Sequence, residues 1–320
     1  MELPKISIIT PSFNQGNFLE ETILSVLSQN YPNLEYIVID GGSEDQSVEI
    51  IKKHQEKIHY WVSEKDSGQS EAINKGLKQA TGEIVAWLNS DDIFLKDTLH
   101  RVASLFLEHP SVELLYGDVE NLDVDGSKKL ISSPPFEPVS FLRKVNIHQP
   151  GVFWKRKLHE NIGLLDESLY YLMDYDLWTR IFFNYECLKV NELFSQFRIH
   201  PHSKTTGNPE GLYLEYRKVL STFINSLNRK ELVSKLKVYG IYNNPDEKKY
   251  PVNISFTSAQ TKTLLNMYIQ QCAIQEYSFY RVKNANKLLI ASFNVHTFFR
   301  TLEFLIKNNL RVRYITSRCR

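Results

Sequence analysis

Two adjacent carboxylates, Asp91 and Asp92, end the run 82–92, whose apolar middle predicts a buried strand. Carboxylates that follow such a strand lie at the edge where open α/β sheets bind ligands. Neighbouring carboxylates repel each other unless a cation or hydrogen-bond donors offset their charge. Oxygen ligands of this kind suit Mg²⁺ or Mn²⁺, usually shared with the phosphates of a substrate. The alternative is an acidic helix cap, because apolar residues at helical spacing follow: Leu95, Leu99, Val102 and Phe106.

Strand and helix patterns alternate along the first half of the chain. Apolar runs predict strands at Ile6–Thr10, Leu34–Asp40 and Ile58–Val62, with helical stripes between them. Repeated βα units with continuously apolar strands imply a mostly parallel sheet that is covered by helices on both faces. The carboxyl edge of that sheet is then expected to hold Asp40, Asp66, Asp91 and Asp92.

The pattern changes after residue 116. Asp125-Gly126 is a strong hairpin signal, and helical stripes dominate beyond about residue 205. The other predicted elements are a strand at Val152–Trp154, a helix at Asp174–Phe183 and extended chain at Leu188–Ile199. We therefore expect an α/β domain over residues 1–205 and a mainly helical region over 206–320.

Composition and charge narrow the class of protein. The chain is 42% hydrophobic and 23% charged, as is ordinary for a globular protein, and its net charge of +1 gives no sign of a nucleic-acid partner. Three widely spaced cysteines predict a reducing compartment and argue against a zinc or disulfide framework. The first ten residues predict a strand and not a signal peptide, and no apolar run approaches the ~18 residues of a membrane span. We expect a cytoplasmic protein.

The loop after the first strand, Pro11–Gly16, lacks the GxGxxG pattern of dinucleotide-binding proteins, and the chain has no Walker A sequence. Phosphate recognition by a glycine-rich loop is therefore excluded. The same loop contains no Lys or Arg, which disfavours nucleotidyl transfer on a similar sheet. A metal held by Asp91 and Asp92 is the remaining way to neutralise a diphosphate.

Five segments together resemble the inverting nucleotide-sugar glycosyltransferases of family 2, which have the GT-A fold. They are residues 7–14, 35–43, 66–76, 87–92 and 173–178, in the order of that family. A sixth segment, 197–205, resembles the end of the family's catalytic domain. The resemblance implies a Rossmann-like sheet with a nucleotide-sugar half at about 1–118, an acceptor half at about 119–205, and a helical C-terminal extension.

The resemblance also implies roles for individual side chains around a nucleotide-sugar donor. Pro11 and Phe13 would line the nucleobase pocket, and Asp40 would accept a hydrogen bond from a base N–H. Asp91 would contact the ribose. Three further side chains would lie beside the nucleotide: Asp66, Gln69 and Asn74. Asp92 would hold the Mn²⁺ or Mg²⁺ that bridges the diphosphate, with His200 as a second ligand and Lys204 as a diphosphate contact. The alternatives are a turn residue for Asp40, a solvated helix position for Asn74 and a solvated loop histidine for His200.

Asp174 is the candidate general base, which would take the proton from the acceptor hydroxyl during inverting transfer. The apolar residues around it predict the start of a half-buried helix, where burial would raise its pKa and the helix N-terminus would lower it. A helix cap is the alternative role, and Asp176 is the second choice of base. Met173 replaces the Glu that is common in the family, and Asn89 stands where many relatives carry another Asp.

The expected function is metal-dependent, inverting transfer of one sugar from a nucleotide diphosphate-sugar to an acceptor hydroxyl. The family resemblance implies that this reaction belongs to surface polysaccharide or glycan synthesis. A processive synthase is disfavoured, since the chain has neither membrane spans nor a QxxRW sequence. The alternative is a nucleotide-sugar-binding partner subunit without turnover, although a pure binder needs no base at Asp174. The sequence leaves the donor sugar and the acceptor open, with a lipid-linked acceptor among the choices.

The C-terminal segment predicts contact with the inner face of a membrane. Residues 281–320 carry nine Lys or Arg and one acid, Glu303. An apolar stripe lies beside that charge, at Phe298, Phe299, Leu302, Leu305 and Ile306. Cations beside an apolar stripe are typical of an interfacial helix on anionic lipid. The alternative is that the stripe packs on the chain's own catalytic domain.

Overall fold

The computed structural model describes residues 2–143, 146–201, 204, 208–244, 246–253 and 255–291. Its strands are β1 (Ile6–Ser12), β2 (Leu34–Asp40), β3 (Tyr60–Ser63), β4 (Ile84–Trp87), β5 (Ile93–Phe94), β6 (Leu114–Leu122), β7 (Lys128–Ile131), β8 (Val152–Lys155) and β9 (Cys187–Arg198). Its helices are α1 (Leu19–Leu27), α2 (Ser47–His54), α3 (Gln69–Gln79), α4 (Thr98–Glu108), α5 (Pro138–Arg143), α6 (His159–Ile162), α7 (Met173–Phe182), α8 (Pro209–Ser226), α9 (Lys230–Tyr239), α10 (Ser258–Ser278) and α11 (Val282–Ala291).

Within the described residues, all nine strands belong to one sheet, in the order β3-β2-β1-β4-β8-β6-β9-β5 with β7 paired to β6. The strands β1 to β4 are parallel, which confirms the prediction for the first half. The second half is mixed, because β8 runs antiparallel to β4 and β6 while β9 runs parallel to β6. In register, Ser12 lies opposite Asp40 and Asp40 opposite Ser63, so the chain leaves all three strands at one edge.

The helices of the first half cover the sheet with the apolar stripes that the sequence predicts. The helix α1 buries Leu19, Ile23 and Val26, and α3 buries Ala72, Ile73 and Leu77. Gly76 allows α3 to approach the sheet closely, because a Cβ there would lie 2.4 Å from the Ile9 side chain. The helix α3, whose first residue is Gln69, is thereby packed closely on β1.

A cluster of three tryptophans joins the two halves of the sheet. Trp87 of β4 stacks on Trp178 of α7 at 5.6 Å between ring centroids, and Trp154 of β8 meets both rings edge-on at 5.5 and 5.4 Å. Each such aromatic pair contributes about 0.5–1.5 kcal/mol beyond its buried area. Every residue of α7 except Asp174 is buried, so the helix is more deeply embedded than the sequence predicted. The cluster fixes α7 against the strand that precedes Asp91 and Asp92.

The chain divides into two compact units, residues 1–219 with 249–254, and residues 220–248 with 255–320. The described residues of the second unit form helices and no strand, with irregular chain at 241–244 and 255–257, so the mainly helical character is as predicted. The domain boundary at residue 205 stays a prediction. The hairpin at Asp125-Gly126 is confirmed by the β6–β7 pair. The apolar stripe at 298–306 lies outside the described residues. No helix in the described part of the chain is long and apolar enough to cross a bilayer.

A buried glutamate ties together the strands that deliver the acidic edge. Glu35 of β2 is fully buried and accepts hydrogen bonds from Lys5 Nζ at 2.6 Å, Ser7 Oγ at 2.5 Å, and the Thr81 N–H and hydroxyl at 2.7 Å each. Ser7 Oγ in turn accepts the Gly82 N–H, just before β4. Burial alone would raise the pKa of Glu35, but these donors outweigh it and lower the pKa to about 2.

We expect Glu35→Gln to lower the free energy of unfolding by roughly 2–4 kcal/mol at pH 7, because an amide N–H₂ would face donors and the ion pair with Lys5 would be lost. The folded pKa of Glu35 lies below its unfolded value of about 4.5. Its stabilisation is therefore complete above pH 4.5 and is lost as the pH falls towards 2. Urea unfolding at several pH values measures both effects. A Glu56→Gln control, at an exposed position, should match the wild type.

Candidate functional site

The turn after β4 places Asp91 and Asp92 at the edge of the sheet. Asp92 is fully buried, where its Oδ1 accepts the Arg198 N–H at 3.1 Å and its Oδ2 accepts from Asn89 Nδ2 at 3.1 Å. Burial and the neighbouring charge of Asp91 raise the pKa of Asp92 well above its ordinary value. The helix-cap interpretation is wrong, because β5 follows the pair at once and the next helix begins only at Thr98.

Arg198, at the end of β9, also binds this turn through its side chain. Its Nε donates to the Asp91 carbonyl at 3.0 Å, and its Nη2 pairs with Glu21 on α1 at 2.5 Å. Its guanidinium also lies 5.0 Å from the centroid of the Phe18 ring. The turn is thus bound to both α1 and β9, which restrains the position of its two carboxylates.

His200 is brought to the same turn, as the sequence predicts. It is buried, with its Nε2 3.0 Å from Asp91 Oδ2 and its ring 4.8 Å from the Phe18 ring. The solvated-loop alternative is therefore wrong. The carboxylate that His200 contacts is that of Asp91, whereas the metal hypothesis pairs it with Asp92.

Asn89 connects the acidic turn to the start of α3. Its Oδ1 accepts from Gln69 Nε2 at 2.7 Å, and its Nδ2 lies 3.2 Å from Gln149 Oε1 as well as donating to Asp92. Gln149 is itself fixed by a 2.7 Å bond to the Trp87 carbonyl. An aspartate at position 89 would add a third charge here, whereas the amide donates a hydrogen bond to Asp92.

Lys204 continues this chain of contacts. Its Nζ donates to Gln69 Oε1 at 3.0 Å and lies 3.8 Å from the centroid of the Tyr170 ring. Burial lowers the pKa of Lys204 to about 8, while the charges of Glu215 and Asp174 act in the opposite direction. The ammonium group of Lys204 therefore lies near both Gln69, at the start of α3, and Asp174, at the start of α7.

Asp174 is the one residue of α7 that is only partly buried, and its Oδ1 accepts the Tyr175 N–H at 2.6 Å. Desolvation raises the pKa of Asp174 to about 6, against the opposing effects of the Tyr175 N–H and Lys204. Both influences that the sequence predicts are present, and burial is the larger. Asp176 is instead buried in a pair with Arg180 at 2.8 Å and accepts from Tyr250 Oη, so it is occupied as a structural group.

The segment before α7 is held by Glu215, a residue that no sequence motif indicates. Its carboxylate accepts three consecutive backbone N–H groups, from Tyr170, Tyr171 and Leu172, at 2.7, 2.7 and 2.9 Å. Charge-assisted bonds of this kind are stronger than neutral ones. Glu215 lies on α8, outside every recognised motif, and only its spatial proximity to residues 170–172 reveals it.

Asn74 fixes the earlier part of the same segment. Its Oδ1 accepts the Leu165 N–H at 2.9 Å, while its Nδ2 donates to the Leu165 carbonyl at 3.0 Å and to Glu167 at 2.8 Å. It is buried, so the solvated alternative is wrong. Both amide hydrogens are used within the chain, and a contact of Asn74 with the nucleotide stays a prediction.

The loops after β1, β2 and β3 meet at the other end of the site. Pro11 is buried in β1, whereas the Phe13 side chain is 59% exposed. Asp40 accepts from the Gly42 and Ser43 N–H groups and from two serine hydroxyls, as the turn interpretation predicts. Asp66 accepts the Gly68 N–H at 2.9 Å, and burial raises its pKa.

Asp66 lies against the turn after β2. A Cβ at Gly41 would come within 2.8 Å of Asp66 Oδ2, so glycine is required for this approach. The structure therefore brings Asp40 and Asp66 together at the edge that the sequence predicted. A contact of Asp40 with a base stays a prediction beside its turn role.

The fit of a divalent metal follows from the donor set at the acidic turn. No group of three or more His, Cys, Asp or Glu side chains suited to a metal ion is found in the described residues. A Mg²⁺-type ion in a nucleotide site needs only one or two carboxylates, since substrate phosphates and water complete its shell. The buried carboxylate of Asp92 beside that of Asp91 meets this smaller requirement.

The comparison with known proteins gives one family. The family model "Glycosyl transferase family 2" matches residues 7–153. An uncharacterised glycosyltransferase of Rickettsia prowazekii is 31% identical over 241 residues, covering 72% of this chain and 74% of the relative. A PGL/p-HBAD biosynthesis glycosyltransferase of Mycobacterium bovis is 31% identical over 188 residues, covering 58% and 72%. The putative teichuronic acid biosynthesis glycosyltransferase TuaG of Bacillus subtilis is 39% identical over 108 residues, covering 33% and 43%.

Solved structures share the fold. S. aureus TarS 1–349 in complex with UDP-GlcNAc superposes with a TM-score of 0.61 at 19% identity, covering 86% of this chain and 73% of that one. The mannosyltransferase PcManGT from Pyrobaculum calidifontis, in complex with GDP-Man and Mn²⁺, superposes with a TM-score of 0.53 at 16% identity, covering 100% and 83%. At such identities the likeness shows the fold alone, and it confirms the predicted GT-A architecture.

We expect Glu215→Ala to increase hydrogen exchange at the amides of residues 170–172 by about tenfold or more, because all three lose their common acceptor. Exchange followed by mass spectrometry on the peptide that precedes α7 measures this. Glu160→Ala, an exposed change on the nearby helix α6, is the control and should leave that peptide unchanged. Unaltered exchange in Glu215→Ala would mean that the carboxylate does not hold this segment.

Proposed function

Because the chain belongs to glycosyl transferase family 2, we propose that it moves one sugar, with inversion, from a nucleotide diphosphate-sugar to an acceptor hydroxyl. The observation that carries the proposal is the chain of contacts from Asp92 through Asn89 and Gln69 to Lys204, beside Asp174. These contacts support a site in which a diphosphate-binding edge would lie near a partly exposed carboxylate of raised pKa. Relatives named for teichuronic acid and PGL/p-HBAD biosynthesis support a role in surface-glycan synthesis.

The donor would lie along the edge formed by the loops after β1, β2, β3 and β4. The exposed ring of Phe13 suits stacking on a nucleobase, with Pro11 behind it and Asp40 and Asp66 alongside. Asp91 would accept from the ribose, and the Lys204 ammonium would contact the diphosphate. The nucleotide sugars and nucleotide named for the neighbouring structures, UDP-GlcNAc, UDP and GDP-Man, support this class of donor.

Asp92 would hold Mn²⁺ or Mg²⁺, with His200 as the second protein ligand. Bound there, the ion would supply Lewis-acid stabilisation of the departing diphosphate. The Mn²⁺ named for one neighbouring structure supports this assignment. The Arg198 N–H and the Asn89 amide keep the Asp92 carboxylate in place for this role.

Asp174 would act as the general base. The acceptor oxygen forms a bond to the anomeric carbon from the face opposite the diphosphate, the bond from that carbon to the diphosphate oxygen breaks, and the diphosphate leaves with the electron pair. The hydroxyl proton passes to Asp174 Oδ2, since Oδ1 already accepts the Tyr175 N–H. Glu215 and Asn74 position this carboxylate by holding the segment that leads into α7.

The alternative is a subunit that binds nucleotide sugar without turnover. Release of nucleoside diphosphate from a panel of donors, with and without Mn²⁺, distinguishes the two functions. The cytoplasmic location and the membrane contact of residues 281–320 stay predictions, as does the lipid-linked acceptor.

Asp92→Asn should reduce turnover by about a hundredfold or more, because a neutral amide is a poor ligand for a hard cation. The rate of nucleoside diphosphate release with saturating Mn²⁺ measures this loss. Asp97→Asn is the matched control. Asp97 directly precedes α4 and its side chain makes no capping hydrogen bond to that helix, so this variant should retain activity. Full activity of Asp92→Asn, or of the wild type in excess chelator, would contradict the metal assignment.

Asp174→Asn should keep donor affinity within about twofold of the wild type while kcat falls by at least about a hundredfold, because an amide cannot accept the acceptor proton. Calorimetric titration with donor and single-turnover kinetics separate the two quantities. Asp176→Asn tests the second choice of base and should lose stability through its pair with Arg180. An active Asp174→Asn variant would refute the base assignment.

The pH dependence of transfer should report the same carboxylate. The ionised form of Asp174 is the active one and its pKa is raised to about 6. We therefore expect kcat to rise as the pH increases through about 6 and to level off above about 7, provided that chemistry limits the rate. A rate that stays constant between pH 5 and pH 7 would show that no group with this pKa is the base.

A further inference from the structure

The second compact unit, residues 220–248 with 255–320, is strongly basic. It carries 15 Lys or Arg and 5 Asp or Glu, whereas the rest of the chain carries 23 and 32. The net charge of the whole chain, close to zero, hides this separation. A basic unit on an otherwise acidic chain is attracted to anionic partners over distances of about a Debye length.

Two exposed aliphatic side chains lie among the lysines of this unit. Val238 on α9 is 71% exposed and Ile290 on α11 is 77% exposed. Lys287 connects the two helices, because its Nζ donates to the Val238 carbonyl at 3.3 Å. On α9, Lys235 precedes Val238 by three residues and lies on the same side of the helix. On α11, Lys283 and Lys287 precede Ile290 by seven and three residues and lie on its side of the helix.

These five residues define the α9–α11 surface: Lys235, Val238, Lys283, Lys287 and Ile290. The opposite side of α11 is buried through Ala285, Leu288 and Leu289, and that of α9 through Leu232 and Leu236. Both helices thus present lysines and an aliphatic side chain to solvent while their apolar stripes face the interior of the unit. Single exposed aliphatic residues are common on proteins. Here two of them lie on helices that a lysine hydrogen bond connects, so they belong to one surface.

We propose that the α9–α11 surface docks on an anionic lipid bilayer. Lysine ammonium groups are strongly hydrated point charges that interact with lipid headgroups without fixed geometry. Exposed Val and Ile side chains gain by entering the boundary between headgroups and acyl chains. A nucleic acid would match the charge but would leave both aliphatic side chains in water.

Lys283, Lys287 and Ile290 belong to the segment 281–320 for which the sequence predicts membrane contact, but the α9–α11 surface shares no residue with the apolar stripe at 298–306. The proposal does not rest on the proposed function. Binding to membranes through α9 and α11 can be measured without a donor, an acceptor or a metal. Its outcome is therefore independent of whether sugar transfer is observed.

The experiment is sedimentation of the full-length protein with vesicles of phosphatidylcholine, with and without phosphatidylglycerol, at low and high salt. One surface variant removes the aliphatic side chains, Val238→Ser with Ile290→Ser. The other reverses charges, Lys283→Glu with Lys287→Glu. Matched controls lie on the β6–β7 hairpin, where Val124 and Leu130 are 69% and 58% exposed: Val124→Ser with Leu130→Ser, and Lys128→Glu with Lys129→Glu. Thermal unfolding checks that each variant is folded.

The proposal predicts binding that requires phosphatidylglycerol, weakens at high salt, falls about tenfold or more in both surface variants, and is unchanged in both controls. Absence of wild-type binding to anionic vesicles at low salt would overturn it. Equal losses in surface and control variants, or unchanged binding in folded surface variants, would also overturn it. Wild-type binding to a labelled single-stranded RNA but not to vesicles would assign the surface to nucleic acid instead.

Discussion

The acidic turn at the end of β4 requires hydrogen-bond donors from the elements around it. Two adjacent carboxylates, one of them fully buried, repel each other and lose hydration. The chain offsets this with donors from distant elements: the Arg198 N–H, the Asn89 amide and the Arg198 side chain at the Asp91 carbonyl. The turn is thereby left with acidic character and a fixed shape, as a site for a cation shared with phosphates requires.

A second requirement is that the proposed base, Asp174, keeps a constant position relative to this turn. Three tryptophans fix α7 against β4 and β8, and Glu215 and Asn74 hold the chain that leads into α7. Hydrophobic packing therefore sets the position of the helix, and charged or amide hydrogen bonds set the direction from which the chain enters it. Asp174, the one partly exposed residue of α7, is the group that this arrangement presents.

The sequence predicts the ends of the strands β1 to β3 to within two residues, because these strands are mostly apolar and the helices between them have clear apolar stripes. It also places the acidic groups at one edge, since parallel strands end on the same side. It could not separate Asp174 from Asp176 by physics alone, because the pair with Arg180 and the Tyr250 contact form only in the fold. The role of Glu215 and the contact of His200 with Asp91 could not be predicted for the same reason. Glu215 lies 43–45 residues from the amides that it binds, and His200 lies 109 residues from Asp91.

We propose that the acidic turn holds the diphosphate of a nucleotide-sugar donor through a metal, within reach of Asp174. A crystal structure of the protein with Mn²⁺ and a nucleoside diphosphate, with anomalous data for manganese, would test this proposal. We expect an anomalous peak at coordination distance from the Asp92 carboxylate, with the diphosphate in contact with that ion and with Lys204. An anomalous peak at another site, or a nucleotide bound away from the edge formed by Asp40, Asp66 and Asp91, would contradict it.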